Sequence, residues 1–233
     1  MTEGHELRWG GAAGVGAVVF ALLGRLVMGN PPAITDSTGT IASYISGHRG
    51  QIITAMVLFG IAIAMFVWFG AALATAFRRA EETSDAPAVL LAGTAFTAAI
   101  AFVSVGLFAG MTYAMTFHPG MLAGASGPYT AITVLTTLAG LALAVPLIAS
   151  AIAIMHTGVF PAWVAGLAAL AAALSVLAAI GIASTRGAFR PGSALMYLPW
   201  VVTAVWVLAA SALLIREHLP AIPARAPHAM GRA

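Results

Sequence analysis

Six apolar stretches dominate the chain: Gly10 to Met28, Ile52 to Phe77, Val89 to Phe117, Tyr129 to Met155, Ala162 to Thr185 and Leu195 to Ile215. At about 1.5 Å per residue, a helix of about 18 residues crosses the roughly 30 Å of hydrocarbon in a bilayer. Each stretch reaches that length, and the only charge inside any of them is Arg25, near the end of the first. The alternating polar and apolar pattern that a membrane β-barrel needs is absent. Backbone surrounded by lipid must satisfy its own hydrogen bonds, so the stretches read as helices. The fold class is therefore all-α, a polytopic membrane helical bundle with six transmembrane helices. The domain reading is one six-helix transmembrane domain over 1–215 and a disordered cytoplasmic tail over 216–233.

Composition agrees and narrows the chemistry. Only 7% of the residues are charged, against about 25% in a soluble globular protein. The chain has no Cys and no Lys. Thiolate metal sites, thiol nucleophiles, disulfides and a retinal Schiff base are thereby excluded. The net charge is +3 and the pI about 10.0. The arginines behind it are scattered along the sequence, and no basic patch interleaved with aromatics marks a nucleic-acid partner.

Orientation follows from arginines beside the spans. With the N-terminus in the cytoplasm, Arg8, Arg78, Arg79, Arg216, Arg225 and Arg232 fall inside, and Arg25, Arg49, Arg186 and Arg190 fall outside. The bias and the Arg78-Arg79 pair in a short loop place both termini in the cytoplasm. The segment before the first span lacks the positive charge of a signal peptide, so that span reads as retained.

The long outer connection places Ile41, Tyr44, Ile45 and His48 at helical spacing. This predicts a short helix lying at the membrane surface, capped by Asp36 or a neighbouring hydroxyl, with Tyr44 in the aromatic belt. Small residues recur at four-residue spacing as Gly10 with Gly14, Ala12 with Gly16, and Gly106 with Gly110 and Ala114. Such faces let helix backbones approach closely, and packing inside the bundle is their expected use. Thr94, Thr97, Ser104, Thr112 and Thr116 make the third span rich in hydroxyls, which can bond back to carbonyls of the preceding turn. Pro146 predicts a kink in the fourth span.

No Asp, Glu or His falls in the middle of a span, which argues against proton pumps and ion-coupled transporters. The polar groups left for chemistry lie at the outer boundary: Arg25, Asp36, Tyr44, His48, Arg49, His118, Arg186 and Arg190. Guanidinium groups there could hold a phosphate or carboxylate through paired hydrogen bonds, with the ligand's apolar part between helices. Asp36, His48 and His118 suggest a second use, in which a carboxylate orients an imidazole as general base. A third pairs His48 with His118 and His156 with His218 as haem ligands, but all four lie at or beyond span ends. No cofactor and no metal are expected. Ser46-Gly47-His48 is similar to an element of membrane phosphatases, but the Lys-led motif and the Arg, His and Asp series of that family are missing.

Three stretches carry a wider resemblance. They are Gly29-Asn30-Pro31-Pro32 followed by Tyr44 and His48-Arg49-Gly50-Gln51, then Trp68-Phe69-Gly70 leading to Arg78-Arg79-Ala80-Glu81, and Thr157-Gly158-Val159-Phe160-Pro161-Ala162-Trp163. Together they resemble a group of uncharacterised six-span integral membrane proteins of GC-rich actinobacteria. His156 and Ala162 depart from that group, which often carries basic residues at both positions. The resemblance implies the fold, the topology and a bacterial plasma membrane, and brings no activity with it. The leading expectation is a non-enzymatic membrane protein that binds an anionic lipid or amphiphile at its outer face. Its expected partners are membrane lipids, a homo-oligomer or a membrane complex. A membrane enzyme or redox carrier is the alternative, and a small-solute transporter the minor one.

Overall fold

A computed structural model describes residues 3–183 and 194–216. Its helices are α1 (Glu3–Met28), α2 (Thr38–Gly47), α3 (Arg49–Ala80), α4 (Ala86–Phe117), α5 (Ser126–Thr157), α6 (Ala162–Ile180) and α7 (Leu198–Ile215). Short 3₁₀ turns cover Pro119–Gly124, Gly181–Ala183 and Ala194–Tyr197, and there is no strand among the described residues. Six helices are long and apolar enough to cross a membrane, the make-up of a multi-pass membrane protein. Helix ends follow local chemistry. Gly29 and Gly158 adopt φ of 69° and 64° after α1 and α5, a left-handed turn that a residue without Cβ makes at no steric cost. Pro87 occupies the first turn of α4, where its missing N–H leaves no helical bond unmade.

The six long helices form a closed ring. Each packs on its neighbour in the order α1, α3, α4, α5, α6, α7, and α7 returns to α1. Its centre is filled by side chains such as Phe69, Leu73, Leu147 and Trp206, leaving a void of about 10 Å³. That is room for about one water and no solute.

α3, α4 and α5 each have 32 residues. At about 1.5 Å per residue they run about 48 Å, well beyond the roughly 30 Å of hydrocarbon. The overhang receives α2. Ile41, Tyr44 and Ile45, one face of α2, are buried against Ile52, Met56, Phe108, Met111, Met115 and Tyr129. The structure corrects two readings here. The helix covers the ends of α3 to α5 in place of lying flat on lipid, and Tyr44 is 8% exposed, inside that contact and not in an aromatic belt. Its N-cap is Ser37, whose hydroxyl accepts from the Thr40 N–H at 3.2 Å. Asp36 instead accepts from the Ala33 N–H at 2.9 Å and closes the preceding turn.

The hydroxyls of α4 behave as their spacing predicts. Thr94, Thr97, Ser104, Thr112 and Thr116 each donate to the carbonyl four residues earlier, at 2.8 to 2.9 Å. Each hydroxyl proton is thus used within the helix. α5 continues as helix through Pro146, and Gly93 of α4 lies against that ring: a Cβ at Gly93 would stand 2.8 Å from Pro146 Cδ.

The glycine faces divide. On α1 they are packed: a Cβ at Gly10 would collide with Ala72, one at Gly14 with Ser211 and Phe69, and one at Gly16 with Met65. On α4 a Cβ at Gly106 or Gly110 meets nothing within 4 Å. The expected packing role therefore holds for α1. The α4 face is open to the outside of the ring.

Candidate functional site at the capped end

The antiparallel ring carries Arg8, Arg78, Arg79 and Arg216 to one end and Arg25, Asp36, Tyr44, His48, Arg49 and His118 to the other, beneath and beside α2. Arg186 and Arg190 lie outside the described residues, as does His218.

Arg25 stands in the last turn of α1. Its Nη1 donates to the carbonyl of Gly29, a free acceptor just past the helix end, where the negative end of the helix dipole also favours a cation. The same guanidinium lies over the Tyr197 ring, 5.4 Å from its centroid. Arg49 occupies the first turn of α3. It reaches across to α4, with its Cζ 5.0 Å from the Tyr113 centroid and 5.9 Å from that of Phe117. Its Nε is buried without a hydrogen-bond partner. Both residues are half-buried. Neither has an acidic partner among the described residues, and aromatic faces hold both in place.

Tyr44 lies at the same end, near Arg25. Its hydroxyl donates to the Met28 carbonyl at 2.7 Å, and its ring stacks on His48 with centroids 5.0 Å apart. Burial raises the Tyr44 phenol above its ordinary range, and the nearby Arg25 charge acts in the opposite direction. The phenol is therefore a neutral donor at physiological pH. Nδ1 of His48 bonds the Tyr44 carbonyl at 3.1 Å, and the His48 side chain is exposed.

Sequence reasoning missed Tyr129, whose hydroxyl donates to the Pro32 carbonyl at 2.7 Å. Its neighbour Ser126 joins Thr38 at 3.2 Å. A signal was present. Two successive prolines supply carbonyls without N–H groups, so the Asn30-Pro31-Pro32 segment needs outside donors once it is folded against the bundle. Tyr129 provides one at Pro32, and Tyr44 bonds the Met28 carbonyl just before the segment, so the two tie this stretch to the cap.

The triad reading does not assemble. Asp36 is engaged with Ala33 and His48 with Tyr44, while His118, at the exit of α4, is exposed. No hydrogen bond joins any two of these three. Among the described residues no group of three His, Asp or Glu could hold a metal ion. What this end offers is two cations turned to different neighbours, Arg25 to Tyr197 and Arg49 to the α4 rings, and the N-terminus of α3, which no side chain caps. An uncapped helix N-terminus presents free N–H groups and a partial positive charge. The combination suits an anion.

No family model, no curated protein and no solved structure matches the chain.

Proposed function

We propose that this protein is a non-enzymatic integral membrane protein of a bacterial plasma membrane, which binds the phosphate of an anionic lipid or similar amphiphile at its outer, α2-capped end. The observation that carries the reading is Arg25 and Arg49, each fixed on an aromatic face and each, among the described residues, without an acidic partner. A guanidinium so placed keeps donors for a phosphate and loses little rotamer freedom when one arrives. The uncapped first turn of α3 adds N–H groups beside Arg49. Arg8, Arg78, Arg79 and Arg216 at the opposite end support a cytoplasmic position for both termini.

Native mass spectrometry tests the proposal. Wild type and an Arg25→Ala, Arg49→Ala double variant are released from micelles loaded with equal amounts of dioleoyl phosphatidylglycerol and dioleoyl phosphatidylcholine. Wild type is expected to retain mainly the anionic lipid, and the variant to show no preference. Equal retention profiles for the two proteins would sink the ligand claim.

A further inference from the structure

The open glycine face of α4 borders a groove of about 380 Å³ between α4 and α5 on the outside of the ring. That size lies within the range of about 300–1,000 Å³ typical of small-molecule sites. Gly110 and Ala114 form its α4 side, Ile132 belongs to its α5 side, and Met111, Met115 and Met121 complete most of its lining. No charged side chain is among the described residues that line it. Thioether side chains adapt to irregular, flexible shapes. The occupant such a groove suits is elongated, apolar and conformationally loose.

One end of the groove has a charge beside it. Gly110, Ala114 and Phe117 follow one another at helical i, i+4, i+7 spacing, and Tyr113 lies next to them. The α4 surface thus leads from the groove to the two rings beneath the Arg49 guanidinium. We propose that the groove holds one acyl chain of the anionic lipid whose phosphate sits at Arg49. This inference rests on the headgroup reading above and assigns the rest of the same molecule. Charge separates this occupant from a second copy of the chain. Two copies inserted in the same direction and joined by this face of α4 would bring two Arg49 cations together at one end. An anionic lipid neutralises that charge instead.

The test uses the full chain in nanodiscs containing phosphatidylglycerol with a photoreactive diazirine midway along one acyl chain. A matched phosphatidylcholine probe runs in parallel, and labelled peptides are mapped by mass spectrometry. Labelling by the anionic probe is expected to concentrate between residues 107 and 132. Filling the groove with Gly110→Leu should lower it about fivefold, the equivalent of losing the burial of one or two methylenes. Ala131→Leu fills the groove from α5 and gives the same readout should Gly110→Leu fail to fold. Uniform labelling around the ring, or groove labelling that neither substitution changes, overturns the groove. If Arg49→Gln abolishes retention of phosphatidylglycerol while labelling is uniform, the headgroup reading stands and the chain assignment falls. Groove labelling equal for both probes and indifferent to Arg49→Gln overturns the headgroup reading and the joint site with it. Because the chain has no Cys, Ala114→Cys adds a clean control: disulfide-trapped dimers in the membrane would assign the face to a second copy and overturn the proposal.

Discussion

α1 and α4 carry the same small-residue spacing and use it in opposite ways. On α1, Gly10 and Gly14 let Ala72, Phe69 and Ser211 of the neighbouring helices approach to within the space a Cβ would need. On α4, Gly106 and Gly110 face outward with open space above them. The spacing specifies where a backbone can be approached; the ring order decides whether anything approaches it. α1 has α3 on one side and α7 on the other, and its glycines lie where those two close the ring. The α4 glycines lie outside its contacts with α3 and α5, and there a concave apolar surface remains.

The largest effect expected from breaking this comparison is at Gly14. Gly14→Val would drive a branched side chain into Ser211 and the Phe69 ring, whose Cδ2 lies 2.6 Å from the position of a Cβ. Overpacking of this kind should cost about 3 kcal/mol, read as a lowered unfolding midpoint in detergent. The contrasting substitution, Gly110→Ala, is the smallest in the series: it meets no neighbour and should change stability by less than about 0.5 kcal/mol. Equal losses at the two positions would show that the faces do not differ as described.

Two intermediate effects concern the cap that distinguishes one end of the ring. Tyr44→Phe removes the bond to the Met28 carbonyl and should cost about 1 kcal/mol. It also carries a pH signature. Burial raises the Tyr44 phenol, so the folded state holds its proton more tightly than the unfolded chain. The stability this confers is complete below the ordinary tyrosine value of about 10 and is lost as pH rises through the raised value. Alkaline unfolding curves of wild type should therefore fall more steeply than those of Tyr44→Phe, and parallel curves would contradict the assignment. Ser37→Ala should cost about 0.5–1 kcal/mol by removing the N-cap of α2. Asp36→Ala leaves that cap intact and should cost less; the reverse ranking would return the capping role to Asp36.

The hydrophobic runs made the number and approximate limits of the spans legible, because length and the absence of charge are local properties. The helices extend past the apolar runs at Arg49–Gln51, Arg78–Ala80 and Ser126–Pro128, where hydropathy has ended and helical hydrogen bonding has not. α2 could be read from the spacing of Ile41, Tyr44 and Ile45, but its seat could not. The face that looked ready for lipid is covered by the overhang of longer helices elsewhere in the chain. For the candidate site, Arg25, Asp36, Tyr44, His48 and Arg49 were singled out by their positions beside the spans. Their partners were not legible, since Tyr197, Tyr113 and Phe117 come from helices brought alongside only by ring closure. Tyr129 was missed for the same reason: its acceptor, Pro32, is 97 positions away.

The central claim is that Arg25 and Arg49 hold an anionic phosphate at the capped end. Its most direct test is the dissociation constant of dihexanoyl phosphatidylglycerol, measured by titration calorimetry in neutral detergent for wild type and an Arg25→Gln, Arg49→Gln variant. Loss of charge-assisted hydrogen bonds predicts at least about tenfold weaker binding by the variant. Wild-type affinity should also fall as salt is raised to about 0.5 M. Equal affinity in the two proteins, unchanged by salt, would contradict the account.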